Sequence, residues 1–277
     1  MLKIYGFFEF KPTKIKKMTP TEFKSKIGNA QDLDFGTIFN LCIQLFKKSW
    51  LQGFLLQLFV IIMMVPFFII LYVPIIMMVI SESASGQFDA NDVNGLFAGL
   101  SVIYIVVLIL GFFVIGVVQV ALTGGFYKIL KNLDEGREAK TSDLFYFLKG
   151  KYLGKIAVLM LVTGLIAIPA ALFFYLPLFY VMIPMSFFTI TFAFNPEWSI
   201  GDIVGSSFRL GNKKWLLTFG LFVVSYIALM ILTFVTCGLG SLFLAPFMYH
   251  PIYFIYKETV GFDDLNELNQ IGEKVEF

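Results

Sequence analysis

Four long stretches of the chain carry no acidic or basic residue: 49–81, 93–127, 156–196 and, with a neutral His250, 215–256. A membrane-spanning helix needs about 20 mostly apolar residues. The first two stretches predict one span each. A 30-residue helix is roughly 45 Å long, so tilt or a proline break at Pro66 or Pro74 is expected there. The last two stretches exceed 40 residues, about twice what one crossing needs. Each therefore predicts a hairpin. The turns are expected at Tyr175-Leu176-Pro177 and at Cys237-Gly238-Leu239-Gly240, where glycine permits a tight reversal. The predicted spans run about 51–79, 96–123, 156–175, 178–194, 216–236 and 241–256.

Charge tests this arrangement independently. With six spans, one side carries 1–49, 125–155, 195–215 and 257–277, and these segments hold all 21 Lys and Arg residues. The other side has Glu82, Asp89 and Asp92 and no base. Basic residues stay cytoplasmic, so both termini are expected inside. The fold expected is all-α: a polytopic integral membrane protein of six transmembrane helices in three hairpins.

The three basic segments ahead of the hairpins resemble one another. They are Ile38 to Trp50, Leu144 to Tyr152 and Ile203 to Trp215. Each has apolar residues at helical spacing, then a lysine pair or near-pair, then an aromatic. This reads as an amphipathic interfacial helix with headgroup-level anchors: Lys47, Lys48 and Trp50; Lys151 and Tyr152; Lys213, Lys214 and Trp215. Pro66 and Pro169 follow Trp50 and Tyr152 at nearly the same spacing, and the third copy lacks that proline. The pattern predicts three units, each an interfacial helix plus a hairpin. The alternative is the basic-aromatic flank that many spans share.

Composition agrees with the pattern. Charged residues are 14% and hydrophobic residues 58% of the chain, with a mean hydropathy of +0.82. Soluble domains run nearer a quarter charged, so a soluble enzyme and a disordered chain are excluded. The net charge of +2 gives no reason to expect a nucleic-acid partner. Cys42 and Cys237 are too far apart in the pattern to read as a disulfide framework. One histidine does not assemble an ordinary zinc or iron site. No nucleophile elbow, P-loop or dinucleotide fingerprint occurs. No cofactor or metal is expected, and no catalytic residue is assigned.

The predicted spans contain no Asp, Glu, Lys or Arg. Ion-coupled transport ordinarily uses such groups at mid-membrane, which argues against pumps and carriers of charged solutes. The candidate polar cavity residues are Gln57, Gln119 and His250. Each amide reads either as packing glue between helices or as lining of a shared cavity. His250 reads either as a proton-sensing or ligand-contacting group, or as a neutral ring bonded to a carbonyl freed by Pro246 or Pro251. Freed carbonyls line cavities or are satisfied locally.

The domain reading is a cytoplasmic segment 1–34, a membrane domain 35–260 and a cytoplasmic tail 261–277. Met18 is a candidate start, with residues 1–17 a translated leader. N-terminal sequencing of natively expressed protein decides this, and an intact leader contradicts it.

Phe46-Lys47-Lys48-Ser49-Trp50, Gly124-Gly125-Phe126-Tyr127 and the run Ile203 to Trp215 resemble bacterial six-span membrane proteins of unknown function. These are the YciC-like proteins and the membrane domain sometimes fused to glycerophosphodiester phosphodiesterases. The resemblance covers most of 35–260 and implies no catalytic residue. The phosphodiesterase domain itself is lacking. Lysine outnumbers arginine 19 to 2, as in AT-rich bacterial genomes. The expectation is a non-enzymatic protein of the bacterial cytoplasmic membrane, a structural or accessory component. Its partners would be membrane lipids, another membrane protein or a second copy. The alternative is a permease or scramblase-like conduit for lipids or small apolar solutes.

Overall fold

A computed structural model describes residues 18–85, 102–173 and 175–262. Residues 1–17, the acidic connection 86–101 with the start of the second predicted span, residue 174 and the residues beyond Phe262 lie outside the described residues.

The described chain is all-α. Its helices are α1 (Pro20–Asn29), α2 (Phe35–Ser85), α3 (Val102–Asp134), α4 (Gly150–Leu172), α5 (Leu176–Ser186), α6 (Phe188–Phe194), α7 (Ile200–Lys213), α8 (Trp215–Val235), α9 (Gly240–Leu244) and α10 (Tyr249–Val260). Two 3-10 helices, Thr141–Leu148 and Ala245–Met248, precede α4 and α10. Among the described residues, five helical segments are long and apolar enough to cross a membrane. They lie in α2, α3, α4, the α5–α6 track and α8. The chain is thus built as a multi-pass membrane protein.

Both expected turns are breaks in the helices. The chain leaves α4 at Leu172 and re-enters helix at Leu176, with Tyr175 left-handed at φ 62°. Between α8 and α9 the left-handed residues are Cys237 and Gly238. The helices flanking each short break pack on one another, which makes them antiparallel neighbours. Neighbour follows neighbour around a closed ring: α2, α3, α4, α5, α8, α9 and back to α2.

Three expectations differ. First, residues 38–50 are no separate interfacial helix; α2 is continuous over 51 residues. Nothing between Phe35 and Trp50 breaks a helix beyond Gly36 in its first turn, and at the usual rise α2 reaches roughly 76 Å. The second unit's leader is a 3-10 helix, and only the third, α7, is a separate α-helix before its span. Second, the predicted 241–256 span is split into α9, a 3-10 turn and α10. Pro246 and Pro251 lack the N–H that a continuous helix would use. Third, the 18–34 segment is part of the domain: Phe23 and Ile27 of α1 are buried in its core.

The core sits at the lysine-rich end. Nine residues of α10 are buried there. Tyr253 Oη and Lys257 Nζ both donate to Asp134 Oδ2, at 2.8 and 2.6 Å, pinning α10 to the end of α3. Lys26 Nζ caps the C-terminus of α10 through the Val260 carbonyl at 3.0 Å. Toward the opposite end the helices turn apolar side chains outward. Leu172, Leu176 and Phe234 are 78, 76 and 87% exposed, a surface that water would not tolerate and acyl chains would cover.

At the start of α2, the Thr37 amide and hydroxyl both donate to Asp34 Oδ2, at 2.7 and 2.9 Å. The amide bond, and after it the hydroxyl bond, hold the Asp34 carboxyl below its ordinary range. A depressed carboxylate stabilises above its unfolded value and loses this as pH falls. Asp34→Ala is therefore expected to lower the unfolding midpoint in detergent at pH 7. The gap to wild type should close below about pH 4, and a gap unchanged by pH would contradict the cap.

Candidate functional site

The buried polar centre is His250. Its Nδ1 lies 3.2 Å from both the Pro246 and Phe247 carbonyl oxygens, and its Nε2 lies 2.8 Å from Ser49 Oγ. Carbonyl oxygens only accept, so the ring proton of a neutral imidazole belongs on Nδ1 and Ser49 donates to Nε2. Phe46, Phe126 and Phe247 enclose the ring. Gly53 lets α2 come close: a Cβ there would lie 2.7 Å from Pro246 Cβ. That approach carries Ser49, one helical turn earlier, to the imidazole. Ser49 is the partner sequence reading overlooked, although it stands inside the Lys47-Lys48-Ser49-Trp50 run.

The geometry shows why this donor is needed. Pro251 has no N–H for the Phe247 carbonyl four residues earlier, and the Tyr249 amide and His250 Nδ1 approach that oxygen instead. The same device recurs once: Pro184 frees the Tyr180 carbonyl, which accepts from Trp215 Nε1 at 3.0 Å. A carbonyl without water around it must be satisfied within the protein. At Pro74 the nearby hydroxyl, Tyr104 Oη, instead gives its short bond, 2.6 Å, to the Leu71 carbonyl and lies 3.3 Å from that of Ile70.

Trp215→Phe should therefore cost about 1 kcal/mol, and nothing in a Pro184→Ala background, where the backbone N–H returns. Thermal unfolding of the four proteins in one detergent measures the coupling. Additive losses would contradict the pairing.

Gln57 and Gln119 are half-buried on α2 and α3. They are not among the hydrogen-bond partners of His250. Gln57 lies eight residues beyond Ser49 and Gln119 seven before Phe126, each about 10 Å or more along its helix. The two amides lie on packed neighbours, displaced from the imidazole toward the exposed end.

The expected anchors divide. Lys47, Lys48, Trp50, Lys151 and Lys213 are exposed, while Tyr152 and Trp215 are half-buried. Tyr152 packs on Phe147, and Trp215 stacks on Phe219. Lys214 differs: its ammonium is turned inward, where it donates to the Gln31 carbonyl at 2.5 Å with Asp32 at 4.0 Å. Burial pushes its pKa down and Asp32 works against that. Lys214 is the residue between α7 and α8, outside both helices, whereas Lys47 and Lys48 lie within continuous α2. Lys213 faces out and Lys214 ties α1 to α8 through the 30–34 connection.

A second polar feature lies at the lysine-rich end. A cavity of about 460 Å³ is lined by Lys128, Lys131, Asn132, Arg137, Asp143, Tyr146 and Phe194. Beside it α3 comes close at Gly125, where an added Cβ would overlap the Asp143 and Leu144 carbonyl oxygens. The 3-10 helix therefore lies directly on α3 and places Tyr146 under Lys128, whose Nζ is 3.3 Å from the ring centroid. Nothing in the sequence pattern alone marks this pairing.

No family model, no curated protein and no solved structure matches the chain, so its functional reading rests on its own residues.

Proposed function

We propose that this is a non-enzymatic protein of the bacterial cytoplasmic membrane, a structural or accessory component that binds lipid or a membrane partner. The topology proposed has six crossings with both termini in the cytoplasm. The observation that carries the reading is the division of the molecule: a packed lysine-rich end, and an opposite end of long helices with apolar side chains outward. The complete one-sided placement of Lys and Arg supports the topology. The α9–α10 track, 240–260, is about 30 Å long at helical rise, enough for the sixth crossing despite its breaks.

Isolation in mild detergent followed by native mass spectrometry tests the reading. Retained lipid or a stoichiometric protein partner is expected. Reproducible recovery of the bare chain, folded and without either, would contradict it. The conduit reading draws on the closed ring of helices and on Gln57 and Gln119. Flux of a labelled lipid or apolar solute through proteoliposomes, reduced by Gln119→Leu, would favour it over the accessory reading. Flux equal to that of empty liposomes would remove it.

A further inference from the structure

The Lys128 cavity has features that the accessory reading does not use. Lys128 is the first charged residue after the charge-free run 93–127. A lysine there snorkels to the level of lipid headgroups. Its ammonium rests on the Tyr146 ring, 3.3 Å from the centroid, with Phe147 at 5.3 Å. Among the described residues no carboxylate comes within ion-pairing distance of it. Tyr146 stabilises the cation through its ring face and a side-chain hydrogen bond, and Asp143 does so through its charge. An ammonium has three donors, so Tyr146 leaves others to be met from the cavity.

The rest of the lining is set for an anion. Three cationic side chains, Lys128, Lys131 and Arg137, face one carboxylate, Asp143. Asp143 is occupied with its own helix start, where it accepts from the Lys140 amide at 3.3 Å. Glu135 lies outside the lining and is paired with Lys131 and Arg137. Arg137 Nη2 is braced by Asn132 Oδ1 at 3.2 Å, which fixes its fork. Lys149 adds a further cation 5.1 Å from the Tyr146 ring. A volume of about 460 Å³ is within the range of ligand sites.

We propose that this cavity binds a phosphate group, with Lys128 as the principal cation and Arg137 as the second. Tyr146 holds the ammonium in place between visits of the ligand. The proposal deepens the lipid-binding reading and rests on it for the position of the cavity at the membrane surface. A phosphate there comes either from an anionic lipid headgroup or from a soluble phosphate.

The test uses the full chain in a non-ionic detergent, with binding read by thermal shift across a titration. The probes are dihexanoyl phosphatidic acid, inorganic phosphate and, as a zwitterionic control, dihexanoyl phosphatidylcholine. Phosphatidic acid is expected to bind more tightly than the control. Lys128→Gln and Arg137→Gln should each weaken it by about tenfold, the loss of one charge-assisted hydrogen bond. The second variant keeps the test open if the first does not fold. Binding of phosphatidic acid alone assigns the site to a lipid headgroup. Equal binding of inorganic phosphate, lost in the same variants, assigns it to a soluble phosphate. Binding of phosphatidic acid unchanged in both variants would overturn the site. So would binding no tighter than the control. In both cases lipid retained through purification would leave the broader lipid-binding reading standing.

Discussion

Gly125→Ala is expected to lower the stability of the protein by about 3 kcal/mol, the upper end of what overpacking ordinarily costs. The reason is the identity of the obstacle. Most added methyl groups meet a side chain that can rotate away. Here the new Cβ meets the carbonyl oxygens of Asp143 and Leu144 and the Leu144 carbonyl carbon, all backbone. The 3-10 helix must lift off α3 as a unit. That movement separates Tyr146 from Lys128 and opens the packing of Leu144 and Phe147, both fully buried. Gly154→Ala is the control, since a Cβ there meets nothing within 4 Å. It should stabilise by about 0.5–1 kcal/mol, the ordinary advantage of alanine in a helix. Thermal unfolding in detergent reads both. Equal effects of the two substitutions would contradict the close approach.

His250→Leu carries the second large effect. Leucine fills much of the space, so the loss is chiefly polar. The Phe247 carbonyl loses its side-chain donor and Ser49 Oγ loses its acceptor in a buried site. An orphaned buried group costs about 1–3 kcal/mol, so a total near 3 kcal/mol is expected. Ser49→Ala alone should cost about 1 kcal/mol. Adding Pro251→Ala to His250→Leu returns a backbone N–H to the Phe247 carbonyl and should recover about 1 kcal/mol. A cavity-lining or ligand-contacting histidine would show no such rescue, and its absence would contradict the proline-linked role.

These two sites mark where sequence reading reaches and where it stops. The charge-free runs locate the apolar helices because few residues other than apolar ones can lie there. The turns at Tyr175 and at Cys237-Gly238 were legible from Pro177 and from the glycines. The continuity of α2 was not: the basic-aromatic flank at Lys47 to Trp50 is compatible with helix on both sides. Nor was the split of 241–256, since Pro66 lies inside unbroken α2 while Pro246 and Pro251, five residues apart, divide a helix. The His250 site was half-legible. Pro251 named the carbonyl, but Ser49 lies 201 positions away, and only the close approach at Gly53 joins them. The phosphate cavity was invisible for the same reason. Lys128 and Tyr146 belong to different elements, brought together by a glycine whose significance depends on what lies against it.

The native cysteines directly test the proposed six-span topology with the lysine-rich end in the cytoplasm. Cys237 is exposed in the turn between α8 and α9, and Cys42 is buried. A membrane-impermeant maleimide applied to intact expressing cells stripped of any outer barrier should label the wild-type chain and not Cys237→Ser. In the Cys237→Ser background, Glu138→Cys and Glu273→Cys should be labelled only after the membrane is permeabilised. Labelling of Cys237 only after permeabilisation, or of Glu273→Cys from outside, would contradict the topology and with it the account built on the lysine-rich face.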